Sequence, residues 1–142
     1  MTGPWDDGLF DLAGHSLTLN DIEHRILRPL WRDHRIHFAV NCASLGCPDL
    51  SPQAYTAATL EQQLAAAESK FLGHPRAVSF NDAGRLRLSS LFDWYLQDFA
   101  TDREQLLRYL TLQRTDLAPA LKKYQGRIDY HYDWQLNARS TN

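Results

Sequence analysis

The stretch that most constrains the fold is residues 36–48, which read IHFAVNCASLGCP. It opens with a short apolar run and passes into a loop punctuated by Gly46 and Pro48. An apolar run of this length, bounded by turn-forming residues, is typical of a buried strand. We therefore predict a strand over residues 36–41, followed by a loop that carries Cys42 and Cys47, the two cysteines of the chain.

Upstream of this strand, the sequence predicts a hairpin and then a helix. Residues 9–18 read LFDLAGHSLT, and the central glycine favours a turn between two short strands. Thr18 and Asp21 have the spacing of a capping box, so a helix should follow them. That helix should end near Arg28, because Pro29 disfavours helical geometry in the residue before it.

Downstream of the cysteine loop, short helices and strands are mixed. The predicted elements are a helix over residues 59–73, a hairpin over residues 76–88, short helices that start at Ser90 and Thr101, helical turns between Asp116 and Gly126, and a strand over residues 128–134. Strands and helices without a regular strand–helix repeat are typical of the α+β class. The sequence therefore predicts a small single α+β domain of short helices, short strands and hairpins.

Length and composition agree with one compact domain spanning residues 1–142, with flexible ends at residues 1–7 and 138–142. Hydrophobic residues make up 44% and charged residues 23% of the chain, and the net charge is −2. This near-neutral balance argues against general affinity for nucleic acid or anionic membranes. No apolar stretch reaches the ~20 residues that span a bilayer, and no signal-peptide pattern opens the chain. As written, the sequence predicts a soluble cytoplasmic protein; a missing upstream signal would make it an exported one.

Glu23 occupies an unusual position on the predicted helix. Apolar residues recur at Leu19, Ile22 and Ile26, and Glu23 lies within the stripe that they form. A carboxylate there should be buried or line a cleft, where it needs a partner. Such groups are enriched at functional sites, although structural ion pairs give the same pattern. His24, at the edge of the stripe, is expected at the surface or the rim.

Cys42 follows the predicted strand directly, at a position from which a rigid element could aim a catalytic group. A nucleophilic cysteine needs a base or another influence that lowers its pKa. Side chains alternate along a strand, so Cys42 should share a face with Phe38 and Val40 and lie opposite His37. A Cys42–His37 pair within the strand is therefore not expected, whereas Glu23 on the covering helix could reach either residue. The alternative is that Cys42 is a small buried hydrophobic residue.

The other polar residues of the candidate site have both structural and functional interpretations. Cys47 could be a structural thiol, form a small-loop disulfide with Cys42, or share a metal with it, and the spacing is not that of a Cys-x-x-Cys redox motif. Asn41 and Ser44 flank Cys42 and are secondary candidates. Asp133, between two aromatic residues of the tail, could orient a histidine or an arginine, or face solvent.

Several motifs of the chain occur in an order that resembles one known family. They are SLTLNDIEH (16–24), RIHFAVNCAS (35–44), Cys47-Pro48, Tyr55, the helix over 60–72, SLFDWYLQDF (90–99) and YDWQLN (132–137). Through these motifs the sequence resembles the domain of unknown function 547 family along nearly its whole length. The resemblance implies a fold and a set of candidate positions, and it implies no particular reaction.

The chain departs from the family pattern in one respect. Family members normally begin with a helical segment that contains a Phe-Trp-Ile-Asn-x-Tyr-Asn-like motif ahead of the hairpin, and the sequence lacks it. We therefore expect the chain to be the C-terminal part of such a domain. Loss of that segment could expose a core face and promote self-association.

Three hypotheses for function remain open at this stage. The leading one is a hydrolase or acyl-transfer enzyme in which Cys42 is the nucleophile, oriented or deprotonated by Glu23 together with His37 or His24. The second is a metal site built from His37, Cys42, Cys47 and Glu23. The third is a non-catalytic binding module with structural cysteines and an aromatic contact surface that includes Trp94, Tyr95 and Trp134. No cofactor is predicted, and a catalytic site would take a small molecule or a peptide.

Overall fold

The structure is a computed structural model that describes residues 3–138 of the chain. It begins with the predicted hairpin, in which strand β1 (Phe10–Leu12) pairs antiparallel with strand β2 (His15–Leu17). Both residues of the connecting turn, Ala13 and Gly14, have positive φ angles, of 51° and 81°. A two-residue turn of this kind matches the right-handed twist of the strands that it joins. The hairpin prediction is confirmed.

Helix α1 starts where the sequence predicts but extends beyond Pro29. Its first part, Asp21–Leu27, is π-helical, and it continues as an ordinary α-helix over Arg28–Trp31. At the start, the Asp21 amide donates to Thr18 Oγ1 and the Thr18 amide donates to Asp21 Oδ2, which are the reciprocal bonds of a capping box. Pro29 lies in the first turn of the α-helical part, a position at which proline is tolerated. The predicted end at Arg28 is therefore wrong.

The predicted strand over residues 36–41 is also wrong, because Ile36–Ala39 forms a single helical turn, α2. The Arg35 amide donates to Asp33 Oδ1, and the amides of the next three residues bond to carbonyls three positions earlier, so this backbone is satisfied locally. Three consecutive side chains at positions 36–38 are buried, which a strand with two different faces would not give. A short apolar run does not distinguish a buried strand from a buried helical turn.

The remaining elements follow the predicted order closely. They are α3 (Leu60–Leu72), β3 (Val78–Phe80), β4 (Leu86–Ser89), α4 (Leu91–Trp94), α5 (Leu96–Phe99), α6 (Arg103–Gln113), α7 (Ala118–Leu121) and β5 (Asp129–His131). Strand β4 is the centre of a three-stranded sheet, antiparallel to β3 and parallel to β5. The α+β class is confirmed.

The hydrophobic core lies between this sheet and the surrounding helices. Phe38 from α2 packs on Phe71 from α3, with ring centroids 5.6 Å apart, and Phe92 and Leu106 complete the centre. All four side chains are almost fully buried. Helix α2 is thus held between the core on its Phe38 side and a polar region on its His37 side.

Two predictions about the limits of the chain stay predictions. One is the single domain over residues 1–142, and the other is flexibility at residues 1–7 and 138–142. Residues 1–2 and 139–142 lie outside the described part of the chain. Within the described range, no helix has the length and apolar character needed to cross a membrane.

After β5, the tail does not continue as the predicted strand but runs alongside the cysteine loop. The Leu45 amide donates to the Gln135 carbonyl, the Gly46 amide to the Asp133 carbonyl, and the Asn137 amide to the Ala43 carbonyl. These three backbone bonds tie residues 43–46 to residues 133–137. Gly46 is needed because a Cβ there would lie 2.8 Å from the Asp133 backbone nitrogen.

We predict that Gly46→Ala lowers the free energy of unfolding by about 1–3 kcal/mol, the usual cost of forcing extra volume into a packed site. Urea unfolding followed by tryptophan fluorescence measures this. The matched control is Gly3→Ala, where an added Cβ meets no described atom within 4 Å. The control should stay within about 0.5 kcal/mol of the parent protein. Equal stabilities for the two variants would contradict the close packing of loop and tail.

Candidate functional site

A cavity of about 250 Å³ lies where α1, α2, the cysteine loop and the tail meet. We call it the thiol cavity, because both cysteines line it, together with Glu23, His37, Tyr95 and Tyr132. Aromatic side chains form much of the remaining wall. The structure thus brings the three primary candidates, Glu23, His37 and Cys42, to one cavity.

His37 is fixed in orientation by a carboxylate. Its Nε2 lies 2.7 Å from Asp98 Oδ2, on α5, and its ring stacks on Tyr95 with centroids 4.1 Å apart. Asp98 Oδ2 also accepts from Arg28 Nε at 2.6 Å, and Arg28 and His37 favour the ionised form, so the pKa of Asp98 is below its usual value despite burial. With Asp98 ionised, Nε2 carries the hydrogen and donates it, which leaves Nδ1 as an acceptor.

Burial dominates the protonation of His37. It lowers the pKa of the imidazole below its ordinary value, although Asp98 and Glu23 both favour the charged form. The resting ring is therefore neutral near pH 7, with an unprotonated Nδ1. A neutral histidine held by a carboxylate at its other nitrogen can act as a general base.

Glu23 is buried, as the helical stripe predicts, with 7% of its surface exposed. Its Oε1 lies 3.9 Å from His37 Nδ1, on the side of the ring opposite Asp98. The imidazole of His37 therefore lies between the carboxylates of Asp98 and Glu23, which can stabilise a positive charge formed on it transiently. Burial and the nearby Glu23 also raise the pKa of Tyr95, whose ring stacks on His37, to about 12.

Cys42 is held by hydroxyl groups. The Ser44 hydroxyl donates to the Tyr132 oxygen at 2.8 Å, and the Tyr132 hydroxyl lies 2.8 Å from Cys42 Sγ. Ser44 Oγ is itself 3.3 Å from the sulfur. The neighbouring Cys47 thiol, and then Ser44 and Tyr132, lower the pKa of Cys42, because hydrogen bonds to the sulfur favour the thiolate. The lowered pKa favours the thiolate of Cys42, which is the nucleophilic form of a cysteine.

Cys47 has the opposite character. It is buried, and its Sγ lies 3.0 Å from the Cys42 amide nitrogen, which donates to it. The pKa of Cys47 is raised by its interaction with Cys42 and by burial. Both cysteines are free thiols in the structure. Of the pair, Cys42 ionises first.

Residues 36–39 form helix α2 and not the predicted strand. The alternation of side chains along a strand therefore does not separate Cys42 from His37. The two side chains nevertheless make no direct hydrogen bond within residues 3–138. They line the same cavity from different sides, Cys42 with hydroxyl partners and His37 with carboxylates. A bound molecule could therefore contact both.

The structure gives the secondary candidates different roles. His24 is exposed, lines the thiol cavity, and accepts from Arg28 at Nδ1. Asn41 donates to the Pro48 carbonyl and accepts from the Ala43 amide, so it shapes the loop. Asp133 is exposed and accepts from the Gln135 amide.

Two residues of the site, Asp98 and Tyr132, are absent from the sequence-based candidates. Asp98 lies 61 positions from His37, on a helix whose aromatic residues predict packing alone. Tyr132 is the neighbour of Asp133, and its role depends on the path of the tail after β5. The available signal was their place in SLFDWYLQDF and YDWQLN, the motifs that carry the family resemblance.

Comparison with known families agrees with that resemblance over the first half of the chain. The family described as protein of unknown function, DUF547, matches residues 3–72. The chain belongs to the DUF547 family. The matched range contains Glu23, His37, Cys42 and Cys47, whereas Asp98 and Tyr132 lie beyond it. No curated protein and no solved structure matches this DUF547 chain.

The metal-binding hypothesis finds no geometrical support in this DUF547 domain. Within the described residues, no group of three or more His, Cys, Asp and Glu side chains is placed to hold a metal ion. Glu23, His37, Cys42 and Cys47 line one cavity but do not converge on one point. The cysteine partners are hydroxyl groups and a backbone amide, as described above.

We predict that buried, neutral His37 makes the DUF547 domain less stable as the pH falls. Because its folded pKa is lowered, the unfolded chain binds more protons below the ordinary histidine pKa of about 6.5. The free energy of unfolding should therefore fall between pH 7 and 5.5, with a slope of at most about 1.4 kcal/mol per pH unit. Urea unfolding at several pH values measures the slope. His37→Gln should flatten it, and His15→Gln, at an exposed hairpin position, should not. An unchanged slope in His37→Gln would contradict a neutral buried ring.

We also predict that Tyr132→Phe makes Cys42 less reactive toward iodoacetamide at low pH. Loss of one hydroxyl donor to a charged sulfur should move the midpoint of the alkylation rate upward by about one pH unit. The rate profile of the unmodified protein should have its midpoint below that of a free thiol. Tyr130→Phe is the control, because Tyr130 is two positions away and partly exposed. A parent profile like that of a free thiol would contradict the ionised state.

Proposed function

We propose that the thiol cavity is the active site of a thiol-dependent hydrolase or acyltransferase, with Cys42 as the nucleophile. The observation that carries this proposal is the 2.8 Å contact between Cys42 Sγ and the Tyr132 hydroxyl, in a cavity that also holds a carboxylate-oriented histidine. An activated thiol and a positioned base at one cavity are the components of covalent acyl transfer.

In the first step, the Cys42 thiolate attacks the carbonyl carbon of the substrate. A carbon–sulfur bond forms, and the bond to the leaving group breaks, giving a thioester on Cys42. The Tyr132 hydroxyl, which no longer needs to donate to a thiolate, is then free to donate to the oxygen that bears the negative charge. No proton has to leave Cys42, because it is already ionised.

In the second step, water or an acceptor hydroxyl attacks the thioester while His37 Nδ1 removes its proton. The carbon–sulfur bond breaks and the thiolate returns. During this step the imidazole is positively charged, and it lies between Asp98 and Glu23. His37 later releases the proton to solvent. Asp98 is thus a positioning residue for His37, and Glu23 stabilises the transient charge.

The size and lining of the thiol cavity also indicate which acyl groups it could hold. Its volume of about 250 Å³ suits a small acyl group or a single side chain. Trp94, Tyr132 and Trp134 form one aromatic wall, with ring centroids between 4.6 and 5.5 Å apart. Such a wall favours an apolar acyl portion.

We predict that p-nitrophenyl acetate, a small activated ester, acylates Cys42 and is then turned over. Intact-mass measurement should show one acetyl group, and fragmentation should place it on Cys42. Cys42→Ala should give no acetyl adduct. His37→Gln should still be acylated but should release acetate about 10²–10⁴ times more slowly, the usual contribution of a general base. Accumulation of acetylated Cys42 in the His37→Gln variant would show that Cys42 is the nucleophile and that His37 acts in the later hydrolysis step.

The matched control is His15→Gln, which changes an exposed histidine outside the cavity and should behave as the parent protein. The urea-unfolded chain provides the rate of an ordinary thiol. If the folded protein were acylated no faster than the unfolded chain at pH 6, Cys42 would not be an activated nucleophile and the proposal would be wrong.

A further inference from the structure

Cys42 and Cys47 are close enough to react with each other through side-chain movement. The Cys42 amide nitrogen lies 3.0 Å from Cys47 Sγ, and that nitrogen is bonded directly to the Cα that carries the Cys42 side chain. The second sulfur is therefore within a few ångströms of the first residue's side chain. The loop between them is anchored by its backbone bonds to residues 133–137, so the proximity is built into the fold.

The two thiols are also unequal. Cys42 is half-buried and its sulfur lies 2.8 Å from the Tyr132 hydroxyl, which can donate to it and so favours a thiolate. Cys47 is buried. Both line the thiol cavity, so a small reagent that enters the cavity meets Cys42 with Cys47 beside it. An accessible thiolate with a protonated thiol next to it is the arrangement in which a sulfenic acid is converted to a disulfide.

We propose that Cys42 and Cys47 form a peroxide-responsive thiol pair, in which a hydroperoxide oxidises Cys42 and Cys47 resolves the product as an intramolecular disulfide. This goes beyond acyl transfer and does not depend on it. It gives the second cysteine a chemical role that the proposed hydrolase or acyltransferase does not use.

The chemistry balances in two steps. The Cys42 thiolate attacks one oxygen of hydrogen peroxide, the O–O bond breaks, and the products are a Cys42 sulfenic acid and hydroxide. The Cys47 thiol then attacks the Cys42 sulfur, the S–O bond breaks, and water leaves with the thiol proton. The sulfurs have lost two electrons, and the peroxide has been reduced to water and hydroxide. A reducing thiol restores the pair by exchange.

The test treats the reduced, unmodified chain with equimolar hydrogen peroxide, then adds N-ethylmaleimide and measures the intact mass. We expect loss of both maleimide additions and a mass lower by two hydrogens, reversed by dithiothreitol. Digestion with trypsin keeps both cysteines in one peptide, residues 36–70, because no lysine or arginine lies between them. That peptide should carry the internal disulfide.

Two variants assign the roles. Cys47→Ser should stop at the sulfenic acid and be trapped on Cys42 by dimedone, whereas Cys42→Ser should oxidise at least about tenfold more slowly at pH 6, since Cys47 stays protonated. The measurement on the unmodified chain stands even if a variant does not fold.

Three results would overturn the proposal: a sulfinic acid on Cys42 while Cys47 still reacts with maleimide, a disulfide between two chains, or equal oxidation rates for the two variants. This test measures disulfide formation and not acylation by the ester. The thiol-pair proposal and the acyl-transfer proposal can therefore be refuted independently of each other.

Discussion

The hydrogen bond between His37 and Asp98 is the interaction on which the rest of the site depends. It joins helical turns 61 positions apart, and the same carboxylate oxygen binds Arg28, so α1, α2 and α5 meet at one atom. A buried imidazole without this acceptor would have to bury an unpaired N–H. The bond also decides which nitrogen faces the cavity. One contact therefore has two effects. Asp98 accepts the hydrogen bond that allows the His37 ring to be buried, and by binding Nε2 it leaves Nδ1 free to accept a proton.

Local features of the fold could be predicted because their causes are local. The Thr18–Asp21 cap, the turn at Gly14 and the burial of Glu23 depend on neighbouring residues or on helical spacing, and the structure shows all three. The state of residues 36–41 could not be predicted in this way. Whether a short apolar run pairs in a sheet or forms a turn depends on the availability of a strand edge, which is a property of the whole chain. Here Asp33 starts the turn before any sheet is reached.

In the candidate site, too, some residues could be predicted from the sequence and others depend on tertiary packing. Residue type and position were enough to select Glu23, His37 and Cys42, and these three line one cavity. Their partners were not recoverable, because Asp98 and Tyr132 approach through tertiary packing from distant parts of the chain. The choice of Asp133 instead of Tyr132 has a simple physical origin. The tail leaves its strand after His131 and follows the cysteine loop, so side-chain alternation past that point no longer indicates which residue faces inward.

The π-helical part of α1 has a consequence for how this site tolerates insertions and deletions. A π turn closes with one residue more than an α turn, and the Arg28 amide bonds back five positions to the Glu23 carbonyl. Removing one residue between positions 21 and 27 would let the segment close as an ordinary α-helix at little backbone cost. It would also change the angular position of Glu23 relative to Arg28, so one helix could no longer place Glu23 beside His37 while Arg28 holds Asp98 on the other side of the ring. The helix would survive such a deletion while the charge arrangement around the imidazole would not.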